Sequence, residues 1–340
     1  MIRFPTTVSD GPRAGSGEIV RAGGTDLSER RHLAMAQGPI VDLRDLKGLD
    51  VIEPSASGGT AIGALTKIAD VAAAPRLRDG YPGLAAAAGG LATPQIRAVG
   101  TIGGNLLQRT RCWYYRNPNA RCLKKGGSHC YARAGDHLYH SCFDLGACVS
   151  VHPSTLAAAL LAYDAQAVVH GEAAPRSMTD LLGDGSDPSR DHALPDGGLL
   201  TQILLPAPVR GERAVYFRAI SRSRSEWPLV EAVVRLVVED TTIREAAVAI
   251  GAVAPVPLRL PEVEAALRGK TAESATYRAA AALASKGAKP LPMTGYKVGL
   301  CEATVLETLE RAHHAAPVVV DAPAPVPEPA SDEPPPEASP

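Results

Sequence analysis

The sequence predicts a protein of mixed class, with helices and strands arranged in α+β or α/β layers. Two observations support this class. Short apolar strands alternate with helical stretches up to Leu205, and a second unit with longer strands follows the break Pro206-Ala207-Pro208. At 340 residues, the chain is long enough for two or three domains, each with its own buried core.

The first unit contains elements that apolar runs and capping residues place along the chain. In order, we predict a strand at 19–21, a helix at 27–36, a strand at 40–43, a glycine turn at 58–59 before 60–64, a helical stretch between Thr66 and Asp70, a helix at 83–91, a helix capped by Ser154 or Thr155, and strands at 167–170 and 199–205.

The second unit has a simpler pattern, in which strands are followed by helices. We predict strands at 215–220, 229–239 and 245–253, and then helices near 261–268 and 302–315. Residues 316–340 are rich in Pro, Ala and Glu and have no core-forming pattern, so they are predicted to be a disordered tail.

Composition and charge narrow the classes of function. The 45% hydrophobic content fits a soluble globular protein, and the net charge of -1 gives no reason to expect nucleic acid as a partner. No apolar run is long enough for a membrane span. The first residues lack a basic stretch followed by an apolar run, so we predict a cytoplasmic location, unless a partner subunit that carries a signal exports the folded complex.

Two glycine pairs stand in similar turns. Gly23 and Gly24 lie in the first glycine turn, residues 22–26, and Gly103 and Gly104 lie in the second glycine turn, residues 101–105. Paired glycines permit positive φ and remove side-chain bulk, so successive amides can converge on a phosphate. Each pair is equally consistent with an ordinary strand-to-helix turn, and neither turn has the spacing of a Rossmann site or a P-loop.

Five of the six cysteines lie between residues 112 and 148. Thiolates are soft donors, and such a cluster in a reducing compartment is typical of a metal or iron–sulfur site. Structural zinc is an alternative, although the gaps are longer than those of zinc knuckles. Disulfides in an oxidising compartment and unused thiols are the other two alternatives.

The two glycine turns, together with residues 94–100 before the second one, resemble the FAD-binding subunit of molybdenum hydroxylases, a family that includes xanthine, aldehyde and carbon monoxide dehydrogenases. The resemblance covers about residues 19 to 312. It implies an α+β fold with a FAD-binding domain at 1–207, divided into subdomains at about 1–57 and 58–207, and a small α+β C-terminal domain at 208–315. It also implies that FAD is bound by Val20, Arg21, Ala22, Gly23, Gly24, Thr25, Asp26, Leu27, Thr101, Gly103, Gly104, Asn105 and Arg218.

Arg218 stands where the family has a basic strand near the flavin, although a strand arginine is often a solvated surface charge. The segment after the second glycine turn resembles a narrower branch, the flavoprotein subunits of bacterial aldehyde oxidoreductases and of 4-hydroxybenzoyl-CoA reductase. This branch carries a [4Fe-4S] cluster in an inserted loop, here the cysteine loop, residues 108–148. The ligands implied are Cys112, Cys122, Cys130 and Cys148, with Cys142 as a substitute ligand and Cys301 as a buried apolar residue.

The resemblance implies an electron-transfer subunit with no catalytic acid, base or nucleophile of its own. Electrons would come from a [2Fe-2S] small subunit, pass through FAD and leave to an external acceptor. Aldehyde oxidation would take place on a molybdopterin-containing large subunit. A non-redox scaffold with zinc in the cysteine loop and a stand-alone flavin oxidase are the two alternatives.

Overall fold

The computed structural model describes residues 1–320. Strands and helices alternate along the first two thirds of the chain. The strands are β1 Ile2–Arg3, β2 Ile19–Arg21, β3 Ile40–Asp42, β4 Ile52–Pro54, β5 Thr60–Gly63, β6 Gln166–Val169, β7 Arg176–Ser177, β8 Leu200–Leu205, β9 Glu212–Ala219, β10 Val230–Glu239, β11 Thr242–Gly251 and β12 Leu258–Arg259. The helices are α1 Thr25–His32, α2 Ile68–Ala73, α3 Pro75–Gly80, α4 Pro82–Gly90, α5 Pro94–Val99, α6 Ile102–Leu106, α7 Trp113–Arg116, α8 Tyr131–Ala134, α9 Thr155–Ala162, α10 Met178–Leu182, α11 Pro261–Leu267, α12 Ser274–Ala281 and α13 Tyr296–His314.

These strands form three sheets. The first is parallel, with the order β1-β3-β2, and all residues of its central strand β3 are buried, as expected for a parallel sheet covered on both faces. The second has the order β4-β5-β8-β6-β7 and is antiparallel. The third is an antiparallel meander with the order β12-β11-β10-β9. The α+β class is therefore confirmed.

Two small-residue helices, α4 and α9, lie at the centre of the molecule. Every residue of α9 except Leu161 is buried, which fits a helix that is apolar on all sides. Both helices pack against the third sheet, α4 mainly against β9 and α9 mainly against β10 and β11, and they also pack against each other. At Gly83 in α4, an added Cβ would lie 3.1 Å from the hydroxyl of Tyr163 and 3.4 Å from Val233, so the absence of a side chain permits this close packing.

The other face of the third sheet is covered by α13. Cys301, Val305 and Leu309 line up on one side of this helix at spacings of four residues and are fully buried in the same apolar core as β10. The C-terminal sheet is thus held between α13 on one side and α4 with α9 on the other. The two domains therefore share an extensive apolar contact.

Most predicted elements have counterparts, and the differences are informative. The helix predicted at 27–36 begins earlier, at Thr25, and ends at His32, while α12 has no counterpart among the predicted helices. Helix α13 begins at Tyr296 rather than near residue 302, because packing overrides the low helix propensity of Gly299. Strand β4 pairs with β5, so the second sheet begins before the predicted subdomain boundary at residue 57.

The predicted tail is described only up to residue 320, and its remainder, 321–340, lies outside the described residues. Within the described part, Val318 is buried, accepts a hydrogen bond from Gly211 and donates one to Glu212. The chain is therefore attached to the start of β9 at this point. Among residues 1–320, no helix combines the length and apolar character needed to cross a bilayer.

Candidate functional site

A large cavity of about 890 Å³ lies where the two glycine turns meet. This volume is within the range of about 300–1,000 Å³ that is usual for small-molecule and cofactor sites. Every residue predicted to bind FAD in or beside the two turns lines it: Val20, Arg21, Ala22, Gly23, Gly24, Thr25, Asp26, Leu27, Thr101, Gly103, Gly104 and Asn105.

The two turns touch each other through their glycines. A Cβ on Gly23 would lie 2.2 Å from the carbonyl oxygen of Val99, immediately before the second turn. A Cβ on Gly104 would lie 3.0 Å from Thr101 Oγ1 and 3.8 Å from the Cβ of Ala22 in the first turn. Side chains at Gly23 and Gly104 would therefore fill the narrow space between the turns.

Each turn also starts a helix, and the caps explain the local sequence. Gly24 has a φ of 72° and precedes α1, a left-handed conformation that glycine adopts without strain. Thr101 precedes α6, and its Oγ1 accepts a hydrogen bond of 3.0 Å from the amide of Gly104. Asn105 accepts a hydrogen bond of 2.6 Å from the hydroxyl of Ser154, which ties the second turn to α9.

Asp26 is the centre of an ionic cluster at the wall of the large cavity. Its carboxylate pairs with Arg111 and, at 2.6 Å, with Arg116, and it also accepts a hydrogen bond from the backbone of Arg109. Burial by itself would raise the pKa of Asp26, but Arg111 and Arg116 hold the pKa below its usual value. The first glycine turn is therefore bound through Asp26 to the beginning of the cysteine loop.

Arg218 does not line the large cavity. Its guanidinium donates to the backbone carbonyls of Arg224 and, at 3.4 Å, of Glu226. From the same segment, Trp227 reaches the cavity wall and lies 5.0 Å from the Arg111 guanidinium in a cation–π contact. Arg218 thus orders the segment that carries Trp227 rather than facing the cavity itself.

A second, small cavity of about 10 Å³, the cysteine cavity, lies within the cysteine loop. The four predicted ligands Cys112, Cys122, Cys130 and Cys148 all line it. They come from four separate segments, which only the folded loop brings together. Among residues 1–320, no group of three or more His, Cys, Asp and Glu side chains has the arrangement of a metal site.

The thiols of the cysteine cavity are not equivalent. A hydrogen bond from Cys148 lowers the pKa of Cys130 to about 6, and the same contact raises the pKa of Cys148. Burial raises the pKa of Cys112 to about 11, and His140 Nε2 lies 3.2 Å from its sulfur. Cys130 therefore ionises more readily than Cys112 and Cys148.

Cys142 lies outside this cavity, in the core of the C-terminal domain. It is fully buried and its thiol contacts that of Cys301 on α13. Lys297, one turn before Cys301, is also buried and donates a hydrogen bond of 2.8 Å to the carbonyl of Ala252. Burial lowers the pKa of Lys297 to about 8.

Two buried charged residues near the cavities, Lys124 and Asp191, were not among the predicted site residues. The ammonium of Lys124 lies 2.9 Å from Asp191 Oδ1, and Arg109 Nε lies 2.5 Å from Asp191 Oδ2. Lys124 lines the cysteine cavity, whereas Asp191 and Arg109 line the large cavity. The sequence offers no signal for this contact, because 67 residues separate the lysine from the aspartate and both stand in polar segments.

The chain matches two family models in succession. Residues 13–208 match the FAD binding domain in molybdopterin dehydrogenase, and residues 215–312 match the CO dehydrogenase flavoprotein C-terminal domain. The aldehyde oxidoreductase FAD-binding subunit PaoB of Escherichia coli K12 is 36% identical over 255 residues, which cover 72% of this chain and 78% of that protein.

Solved structures share the fold. A carbon monoxide dehydrogenase chain from Hydrogenophaga pseudoflava superposes with a TM-score of 0.72 at 23% identity, covering 93% of this chain and 98% of that chain. A chain of quinoline 2-oxidoreductase from Pseudomonas putida 86 has a TM-score of 0.70 at 20% identity, covering 92% and 96%. With both domains matched in order, the chain belongs to the family of FAD-binding flavoprotein subunits of molybdenum hydroxylases, which are oxidoreductases.

Proposed function

We propose that this chain is the FAD- and [4Fe-4S]-containing electron-transfer subunit of an aldehyde-oxidising molybdenum hydroxylase. The observation that carries the proposal is the pair of glycine turns closed over a cavity of about 890 Å³, with a cavity lined by four cysteines in the same fold. Similarity to an aldehyde oxidoreductase subunit supports the substrate class.

The large cavity fits a dinucleotide in both size and chemistry. Gly23, Gly24, Gly103 and Gly104 line the cavity without side-chain bulk, and the backbone amides of Gly23 and Gly24 can donate to a pyrophosphate. The amides of Gly103 and Gly104 already donate to the carbonyl of Ala64 and to Thr101 Oγ1. Bound there, FAD would supply one- and two-electron chemistry, while the chain binds and orients it. Asp26 contributes indirectly, because it keeps Arg111 and Arg116 in place at the cavity wall.

The cysteine cavity fits an iron–sulfur cluster in its donor set. Cys112, Cys122, Cys130 and Cys148 present the four soft sulfur ligands that a cubane uses. The room between them corresponds to about one water molecule, so these side chains must separate when a cluster is assembled. Each ligand of a cubane binds a different iron, so the four sulfurs need not converge on one point as they do around zinc.

The proposed chain of electron carriers includes other subunits. A [2Fe-2S] small subunit would deliver electrons from a molybdopterin-containing large subunit, and an external acceptor would remove them from FAD. The substrate carbon would be oxidised on the large subunit, so no side chain here is assigned as a catalytic acid, base or nucleophile. We propose a cytoplasmic location for the complex, or export together with a partner that carries a signal.

The test is cofactor analysis of the complex, co-expressed with its partner subunits and purified without air. We expect one FAD per copy of this chain and iron in excess of that bound by the small subunit. Replacing Cys112, Cys122, Cys130 or Cys148 by serine should remove the additional iron and its electron paramagnetic resonance signal. The matched control Cys142→Ser should retain both.

Four results would contradict the proposal. A complex without FAD would refute the cofactor assignment, and zinc in place of iron would favour the scaffold alternative. Aldehyde turnover by the isolated chain would favour a stand-alone flavin oxidase. Equal iron loss in Cys142→Ser and Cys148→Ser would show that the ligand set is incorrect.

A further inference from the structure

One carboxylate, that of Asp191, touches the walls of both cavities. Its Oδ1 lies 2.9 Å from the ammonium of Lys124, which lines the cysteine cavity, and its Oδ2 lies 2.5 Å from Nε of Arg109, which lines the large cavity. The side chains of Lys124 and Asp191 are only 3% and 5% exposed. The contact is therefore a buried ionic bridge of the kind that solvent screens weakly.

Few other charged groups lie around the ionic bridge of Lys124, Asp191 and Arg109. Two imidazoles, those of His152 and His192, lie near Asp191, and each has one buried nitrogen without a hydrogen-bond partner. Burial favours their neutral form and lowers the pKa of both to about 4. The cations that act on Asp191 and the two imidazoles are Lys124, Arg109 and Arg190.

Both cations of the bridge are held by further contacts to their own cavity walls. Lys124 also donates to the carbonyl of Arg190, and its charge acts on the thiol of Cys148. Arg109 stacks over the ring of Tyr115 at 5.1 Å, and its backbone amide donates to Asp26 in the first glycine turn. Lys124 and Arg109 are therefore fixed in position, with Asp191 between them.

We propose that Asp191 is a positioning residue that couples the two cofactor sites electrostatically, holding Lys124 at the cysteine cavity and Arg109 at the large cavity. The inference rests on the proposed function, because it assumes that FAD and a cluster occupy these sites. A centre that gains an electron becomes more negative, so a nearby positive charge favours its reduction and a negative charge opposes it. One carboxylate shared by both walls acts on both centres.

The test measures the midpoint potentials of the flavin and of the cluster in the intact complex, by redox titration with optical and electron paramagnetic resonance detection. Asp191→Asn removes the negative charge and should shift both potentials in the positive direction. Lys124→Met removes a positive charge and should shift both in the negative direction. The matched control Asp184→Asn alters an exposed acid of the same segment and should leave both potentials close to those of the wild type.

Opposite shifts in the two variants distinguish an electrostatic role from a structural one, since simple loosening would affect both variants in the same direction. Asp191→Glu keeps the charge and should restore the wild-type potentials. The proposal is overturned if either centre keeps its wild-type potential in Asp191→Asn, or if the two variants shift a potential in the same direction.

If a variant does not bind FAD or the cluster, its potentials cannot be measured, and the cofactor-free chain is tested instead. Without its carboxylate partner, Lys124 should no longer hold the wall of the cysteine cavity, so the thiols of Asp191→Asn should react faster with a thiol reagent than those of Asp184→Asn. Equal rates would overturn the positioning role. Wild-type complex that lacks FAD or extra iron would refute the proposed function instead, and the two failures are thereby distinguished.

Discussion

The backbone amide of Arg109 donates a hydrogen bond of 3.2 Å to the carboxylate of Asp26, although 83 residues separate them in the sequence. Asp26 ends the first glycine turn, and Arg109 opens the cysteine loop just after the second glycine turn. The same carboxylate pairs with Arg116 at 2.6 Å. One side chain thus joins the first glycine turn to the cysteine loop.

The pairing of Asp26 leads to a stability prediction. Asp26→Asn leaves the buried guanidinium of Arg116, whose side chain is 8% exposed, with only the exposed carboxylate of Glu29 as a counter-charge. Removing one partner of a buried pair typically costs about 3–5 kcal/mol of unfolding free energy. We expect a loss in this range by urea denaturation of the chain.

The control for Asp26→Asn is the exposed pair of Glu239 and Arg244, whose side chains are 63% and 56% exposed. Glu239→Gln should reduce the unfolding free energy by less than about 1 kcal/mol, because solvent screens such a pair. Similar losses in the two variants would mean that Asp26 is not held in a buried network.

The close contact of the two glycine turns predicts that Gly23→Ala impairs FAD binding. The new Cβ would meet the carbonyl oxygen of Val99 at 2.2 Å, so the turns must move apart. We expect a weaker affinity for FAD and a lower melting temperature, measured by flavin fluorescence titration and by thermal unfolding. Gly299→Ala is the control, because its Cβ meets nothing within 4 Å and glycine is unfavourable in a helix. If Gly23→Ala binds FAD as the wild type does, the turns do not enclose the cofactor.

The buried histidines predict how stability depends on pH. Burial lowers the pKa of three histidines, His140, His152 and His192, from 6.5 to about 4. Between these values the unfolded chain binds protons that the folded chain does not, so the unfolding free energy falls as the pH decreases from 6.5 towards 4. Each histidine accounts for up to about 3 kcal/mol when the shift is fully expressed.

Urea denaturation at several pH values between 7 and 5 measures this effect. His192→Gln removes one of the three groups and should reduce the decline to about two thirds of its wild-type slope, in keeping with three equal contributions. An unchanged slope in His192→Gln would show that folding does not lower the pKa of His192.

A fully buried glutamate in the C-terminal sheet gives another prediction. Glu231 Oε2 accepts hydrogen bonds of 2.8 Å from the Thr155 hydroxyl and 2.9 Å from the Tyr216 hydroxyl, and burial raises its pKa. Tyr216→Phe removes one donor from a buried acceptor, which typically costs about 1–3 kcal/mol. Thermal and urea unfolding should show this loss, whereas Tyr139→Phe, at an exposed position, should show none. Equal stability of Tyr216→Phe and the wild type would contradict the buried hydrogen bond.

Local signals in the sequence predicted part of the fold well. Ser154 was a capping candidate because a polar residue precedes an apolar run, and its Oγ accepts a hydrogen bond of 3.0 Å from the amide of Ala157. Strand β2 has the predicted bounds, residues 19–21. Helix α12 is not predicted from the sequence, because no N-terminal capping side chain marks its start.

The sequence also predicted part of the candidate site, but not the position of every side chain in it. The glycine turns could be found because paired glycines are visible in the sequence, and all of their predicted residues line the large cavity. Arg218 does not line this cavity, because its side chain turns towards the carbonyls of the 224–226 segment, and its contact with FAD stays a prediction. Whether FAD and a cluster bind as expected stays a prediction.

The sequence by itself determined the features that depend on neighbouring residues: the class of the fold, the strand-to-helix turns with their glycines, and a loop dense in thiols. Only the tertiary structure decided which distant groups meet. It placed Cys148 at the cysteine cavity and Cys142 against Cys301, and it brought Asp191 between Lys124 and Arg109. The physical reason is that backbone preferences act over a few residues, whereas burial and charge pairing depend on segments that meet only after the chain has folded.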